Sequence, residues 1–411
     1  MPVPPAFVRR CTGLFVERRE RLDFDPLRLL QGESGLLTVG ESVALVPHRS
    51  AEVVLSEDEA VALDAVARDA WQLRDEIGAT MGDACLQSLL TKGVLVQQGT
   101  PDSARDECIR DACWHPLSAA AHVFSRWSGT DSIAAQREAR LHSVDDMIEV
   151  GGVPPGHFHA RPDAQARVPL SRPPSNDLDA LMARRATCRN FDPAAAIPPH
   201  DLGAILHRSF GMQGSEELAP GAVALKKNHP SGGGLHPLEA YAIVQRADGI
   251  APGLYHYNVE AHALDLLRGL VADEARALAL TAVAGQDYFA EAPVMLVVAA
   301  RFARSFWKYR RHPKIYRAIV LETGHVSQSL YLAATELGMG AYITAAINEV
   351  EIEQAFGLDP LLEGPLAVCG FGPRARRRET VELDPAHRVW DERGDLVRAS
   401  AAGSRHPDAH G

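Results

Sequence analysis

Apolar and polar positions change period repeatedly along this chain, and each change marks an element. Near the N-terminus, "GLLTV" and "SVALV" flank Gly40-Glu41, which predicts a hairpin. From Ser56, "SEDEAVALDAVARDAWQL" sets Ala60, Leu63, Ala67, Ala70 and Trp71 on one stripe of a helix. Ser56 and Glu59 form a capping box there, with Asp58 adding negative charge to the first turn. A second helix is predicted from about Asp83 to Lys92, stopped by Gly93 and followed by a short strand, "VLVQQ". From Gly152 to Ser175 all periodicity is lost in "GVPPGHFHARPDAQARVPLSRPPS", the composition of a linker or extended arm. Beyond it, "DLDALMARRATCRNF" and "HDLGAILHRSF" read as helices and Leu238–Val244 as a strand. "GLYHYN" and "ALDLL" read as a hairpin, Asp273–Ala284 as a helix and "PVMLVVAA" as a strand. A long helix from about Tyr316 to Leu337 follows, then strands at Ala341–Thr344 and "LAVCGFG". Strands interleaved with helices predict a layered α/β or α+β domain.

Composition narrows the picture. A chain of 411 residues exceeds the size at which one core usually divides, so two domains are expected. Strand, helix, helix, strand in the first hundred residues suggests a winged-helix-like module, a type that often binds DNA. A net charge of −11 and a single basic residue in "DACLQSLLTK" argue against nucleic acid and leave a peptide or protein partner, or simple packing against the neighbouring domain. Met1 to Glu20 has no unbroken apolar core of a secretory signal, and the longest apolar run, Ala292 to Ala300, is about half a membrane span. Six scattered cysteines without C-x-x-C pairs fit reduced thiols in the cytoplasm. Cys108, Cys113 and His115 match no common zinc spacing, so no metal is expected.

Three segments carry candidate chemistry. "RRATCRNF" crowds Arg184, Arg185 and Arg189 at a helix end, where planar guanidinium forks suit a phosphate, or merely complement the helix dipole. Pro230-Ser231-Gly232-Gly233-Gly234 precedes a strand and lacks the G-x-G-x-x-G spacing, so it is no dinucleotide turn. Its glycines let a flat ring approach the backbone, with the Ser231 hydroxyl free to bond ring heteroatoms; a tight loop without ligand is the plain alternative. The third segment, "SFWKYRRHPKIYRAIVLETGHVSQSLYLAATELGMGAY", places Lys308 and Tyr309 among Arg304, Arg310, Arg311 and Lys314, neighbours that favour a usable base. The helix after it is apolar almost all round, yet carries Glu322, His325 and Gln328 as one polar stripe, the mark of a buried network.

In order and spacing these segments resemble the nitroreductase-like flavoproteins, and within them the SagB-type (azoline oxidase, thiazole/oxazole-forming) dehydrogenases and the peptide-maturation dehydrogenases of that branch. The motifs are "RRATCRNF", "PSGGGLHPLE", "GLYHYNVEAHALDLL", "WKY", "ETGHVSQSLYLAATELGMG" and "VCGFG", spanning about Leu178 to Pro373. The resemblance implies an α+β, nitroreductase-like three-layer α/β/α domain over 176–378 with a mixed, mainly antiparallel sheet. A winged-helix-like, peptide-binding domain would occupy 1–115, a helical connector and arm 116–175, and a peripheral polar tail 379–411. It implies FMN at the interface of a cytoplasmic homodimer. Arg185, Thr187 (a serine in the usual pattern) and Arg189 would hold its phosphate and ribityl chain. Pro230, Ser231, Gly232 and Gly234 would line the isoalloxazine, and Gly370, with Arg374, would close the phosphate end. Lys308 and Tyr309 match the pair that removes a proton in azole-forming members. The implied activity is an FMN-dependent two-electron oxidation of a ribosomally made precursor peptide, with a cyclodehydratase or other maturation enzymes as further partners. An NAD(P)H-dependent nitro- or quinone reductase and a non-catalytic leader-peptide scaffold are the alternatives. "ITAAINE", at Thr344–Ala346, departs from the loop common there and bears on pocket shape.

Overall fold

A computed structural model of the chain describes residues 5–397. Its N-terminal part holds two small antiparallel sheets. One pairs Phe7–Arg10 with Gln72–Leu73 and with Leu95–Gln97; the other orders Phe15–Phe24, Leu36–Val46 and Ala51–Leu55. Val8, Ala44, Val46, Leu55, Ile77, Leu86 and Leu89 close their common core. The Ser56–Glu59 capping box is present, but the helix it opens ends at Ala62, well short of the stripe in the sequence. The hairpin expected at Gly40-Glu41 is absent. Leu36–Val46 runs straight through it, because Gly40 sits opposite Glu20 under the Arg18 side chain, where a Cβ would stand 2.9 Å from the guanidinium. The glycine serves a close approach rather than a turn.

The second part is built on six strands: β1 (Leu238–Val244), β2 (Gly253–Asn258), β3 (Ala263–Gly269), β4 (Val294–Arg301), β5 (Gly340–Thr344) and β6 (Glu363–Gly372). Their order is β3-β2-β1-β4-β6-β5, and every pairing is antiparallel. The parallel component is confined to single bridges such as Thr187–Ala341 and Ile197–Ala247. Helices cover both faces: α1 (Asp177–Arg184), α2 (Pro199–Phe210), α3 (Ala272–Ala282), α4 (Phe302–Tyr309), α5 (Ile315–Glu336) and α6 (Glu349–Phe356). Strand alternation sorts the core in two. Leu296, Val298 and Ala300 of β4 pack with α2, α4 and α5, whereas Met295, Val297 and Ala299 face α3 and α6. Both faces being covered, the strand is an unbroken apolar run, as its sequence suggested. The architecture is the α+β three-layer sandwich expected.

Gly370 lies in the middle of β6, where an added Cβ would stand 2.2 Å from the Tyr342 ring. That ring is fully buried between Phe289, 3.9 Å away in a stacked geometry, and Phe191. Gly370→Ala is therefore expected to cost about 3 kcal/mol by overpacking, read as a lower urea midpoint at unchanged slope.

The first domain does not end cleanly at 115. The helix Pro101–Asp111 carries Asp106, which pairs with Arg9 at 3.0 Å, while Ile109 and Trp114 enter the core of the large sheet. Trp114 donates its indole N–H to the Leu361 carbonyl at 2.8 Å, and Arg105 pairs with Asp359. The connector then forms helices at Pro116–Phe124, Ser132–Glu138 and Val144–Gly151 before the exposed arm. It docks on α6, where Glu349 accepts from the Trp127 amide at 2.8 Å. Burial raises the Glu349 carboxyl from 4.5 to about 7. The folded state then holds this proton more tightly than the unfolded one, so stability falls as pH rises from about 4.5 through 7. Glu349→Gln, which keeps an acceptor, is expected to add about 1–3 kcal/mol at pH 8 and almost nothing at pH 4.5, checked by urea unfolding at both.

Residues 379–397 correct the expectation of a peripheral tail; positions 398–411 lie outside the described residues. Glu382 and Trp390 are buried, and the segment folds back over the arginine loop. No helix among the described residues is long and apolar enough to cross a membrane.

Candidate functional site

Pro230 interrupts the chain before β1, and Gly233 and Gly234 adopt φ of 72° and 71°, a backbone that other residues rarely take. The result is a single tight turn, closed by the Gly234 amide on the Ser231 carbonyl at 3.0 Å. The Ser231 hydroxyl is not free for a ligand, contrary to the sequence expectation. It donates to Glu322 Oε2 at 2.6 Å and accepts the His236 amide at 2.8 Å, pinning the turn to α5. What the turn offers outward is backbone: a Cβ on Gly234 would meet nothing within 4 Å, and one on Gly232 only the Ala318 methyl at 3.7 Å.

Lys308 and Tyr309 close this turn from the other side. They end α4, which Arg304 ties to the loop by donating to the Leu235 carbonyl at 2.7 Å. A Cβ built on Gly233 would lie 2.6 Å from the Tyr309 hydroxyl and 3.0 Å from Lys308 Nζ. Two residues 75 and 76 positions away in sequence thus converge on one glycine.

The arginine segment reaches α5 further along. Thr187 Oγ1 lies 3.0 Å from the Tyr331 hydroxyl, which also accepts the Ile343 amide at 3.2 Å. The Arg185 guanidinium lies over the Tyr331 ring, 5.4 Å from its centre, and has no acidic partner among the described residues. Arg189 reaches over Tyr288 and Phe289, each 5.8 Å from its guanidinium carbon. From Glu322 to Tyr331 is nine residues of helix, roughly 14 Å at 1.5 Å per residue. The Glu322 that pins the turn and the Tyr331 under Arg185 are therefore well separated along α5. Gly370 and Arg374 are engaged elsewhere. Gly370 is closed off by Tyr342, and buried Arg374 is spent on Glu382 Oε2 at 2.7 Å and the Ala186 carbonyl at 2.9 Å.

Three groups escaped the sequence reading. Glu382 accepts the amides of Arg189 at 2.6 Å and Asn190 at 3.0 Å, shaping the arginine loop from 193 residues away. Nothing local announces such a residue. His229 and His236 bracket the glycine turn in plain view, in "NHPSGGGLHP", and both are buried against Glu322. Burial lowers the His236 imidazole to about 4, so it is neutral at ordinary pH. The polar stripe on α5 is narrower than expected: Glu322 is buried, whereas His325 and Gln328 are exposed beside Val320 and Leu321.

The three-layer sandwich thus carries a glycine turn, two arginines beside aromatic rings and a lysine–tyrosine pair at the end of α4, and it has relatives among known proteins. The nitroreductase family matches residues 182–373. The trifolitoxin-processing protein TfxB of Rhizobium leguminosarum bv. trifolii is 33% identical over 294 residues, 69% of this chain and 78% of that protein. The microcin B17-processing protein McbC of Escherichia coli is 28% identical over 166 residues, 37% of this chain and 56% of that one. Among solved structures, a chain of the Escherichia coli microcin synthetase McbBCD complex with truncated pro-MccB17 bound superposes with a TM-score of 0.49 at 19% identity, covering 66% of this chain and 94% of that one. The chain belongs to the nitroreductase family.

Proposed function

We propose that this protein is an FMN-dependent dehydrogenase of the SagB type that oxidises a ribosomally made precursor peptide, by azoline-to-azole conversion or a related two-electron step. The observation that carries the reading is the convergence of Lys308 Nζ and the Tyr309 hydroxyl on Gly233, in a chain related over most of its length to a toxin-processing protein.

The residues fit the cofactor. A Cβ would find open space at Gly234 and little contact at Gly232, Arg185 has no acidic partner among the described residues, and Arg189 lies over two aromatic rings. Pro230 and Ser231 would shape the ring end, Thr187 and the two arginines the phosphate and ribityl end. The chemistry FMN supplies when bound is acceptance of a hydride and return of the electrons to dioxygen. The chain's own part is the proton: Lys308, exposed at the end of α4, takes it from the carbon next to the peptide carbonyl, with the Tyr309 hydroxyl steadying the pair. The exposed Val320 and Leu321 on α5 support a homodimer with the cofactor between subunits. Residues 1–115 would handle the leader of the peptide, and a cyclodehydratase would act before this step.

The test is an absorbance spectrum of the purified protein, FMN release on heating, and incubation with precursor peptides in air. Loss of two hydrogens per modified residue is expected. A colourless protein, or brisk NAD(P)H oxidation with no peptide changed, would overturn the reading.

A further inference from the structure

The loop that carries the glycine turn brings two histidines to a carboxylate of α5, a cluster that the proposed oxidation does not use. His229 Nε2 lies 3.6 Å and His236 Nδ1 3.8 Å from Glu322 Oε1, and all three atoms fall within 4.8 Å of one another. Their side chains are 2%, 6% and 3% exposed. Among the described residues none of the three atoms has a hydrogen-bond partner, since the separations are too long for one. Buried polar atoms are rarely left so, and here three are aimed inward together.

The remaining contacts have the pattern of metal ligands. His229 uses Nδ1 on the Ser209 carbonyl at 3.1 Å, which fixes the tautomer with a bare lone pair on Nε2. Glu322 uses its other oxygen on the Ser231 hydroxyl at 2.6 Å, which leaves Oε1 for the centre. A four-coordinate ion with bonds of about 2.0–2.2 Å puts its ligands roughly 3.3–3.6 Å apart, close to the two His–Glu separations, while the two imidazole nitrogens lie within 4.8 Å of each other. Two imidazoles and one carboxylate are a donor set of zinc and of ferrous iron.

We propose that His229, His236 and Glu322 bind one divalent transition-metal ion of the zinc or ferrous class, which clamps the glycine turn to α5. The site takes two ligands from the loop and one from the helix, with a fourth position for water. It stands on these contacts alone and is independent of whether FMN binds.

The experiment uses the full chain with any affinity tag removed, stripped with a chelator, then given zinc or, without oxygen, ferrous iron. Bound metal is read by elemental analysis and the thermal midpoint by circular dichroism. About one equivalent per chain is expected, with a midpoint several degrees higher, and the more strongly retained ion identifies the class. His229→Ala and Glu322→Gln should lose both effects, and His236→Ala, with more of its side chain at the surface, supplies the result should either fail to fold. His157→Ala with His159→Ala, in the exposed arm, removes the obvious adventitious binders and should change nothing. Less than a tenth of an equivalent of either ion, or binding that survives in all three ligand variants, overturns the proposal.

Discussion

On the proposed function, Lys308→Ala is expected to slow oxidation of a precursor peptide by about 10²–10⁴-fold, the range that a positioned acid or base contributes, while fold and FMN retention stay as in the parent. Lys308 is exposed, so its stem supports little of the core, and surface truncations usually change stability by about 0.5 kcal/mol or less. Its Nζ sits over the glycine turn beside the Tyr309 hydroxyl, so the loss falls on the site. Tyr309 differs in kind, because its ring packs against the main core and only its hydroxyl reaches Gly233. Tyr309→Phe keeps that packing and should cost less than Lys308→Ala, about tenfold. Turnover by mass spectrometry, with flavin absorbance and circular dichroism as controls, checks both. A Lys308→Ala protein that oxidises peptide within threefold of the parent would remove the pair from proton handling. Unchanged NAD(P)H–quinone turnover in the same variant would show that the loss is specific to the peptide reaction.

How much of this was legible beforehand depends on how far each interaction reaches along the chain. β1 and β4 could be read from their apolar runs, and α2 and α5 from helical period, because burial on both faces or on one stripe writes itself into consecutive residues. The glycine turn was legible for the same local reason. Gly40 misled because a glycine in a strand and a glycine in a turn look alike until the side chain crossing it, Arg18, is known. The hairpin Met212–Ala219 with Ala222–Lys227 was missed, since both strands are largely exposed and carry no apolar alternation. At the site, Lys308 and Tyr309 were named from a motif, but the motif does not say that they meet Gly233. Glu382 could not be found at all. Its five donors come from residues 189, 190, 374 and 390, and no periodicity links them.

Glu382→Ala is expected to destabilise the protein by about 3–5 kcal/mol and to empty the proposed cofactor site, although Glu382 itself touches none of the turn or pair residues. Its Oε1 accepts the amides of Arg189 and Asn190 and the Asn190 side chain at 2.6–3.0 Å, and its Oε2 accepts Arg374 and the Trp390 indole, both at 2.7 Å. Truncation leaves the buried Arg374 charge without its partner, the larger part of the cost. It also frees the Arg189 amide, so the segment that would grip an anionic tail loses its shape. Glu382→Gln should do little better, since either orientation of the amide turns an NH₂ toward groups that themselves donate. Arg374→Met in the Glu382→Ala background removes the stranded charge and should recover about half of the stability without restoring flavin retention, because the loop amides stay unpaired. Glu392→Ala, exposed in the same segment, is the control that should change neither. Urea unfolding and flavin content after gel filtration separate the two effects. Were Glu382→Ala to unfold at the parent's midpoint, the strap formed by 379–397 would be decoration on the fold, and the shape of the arginine loop would have to come from its own backbone.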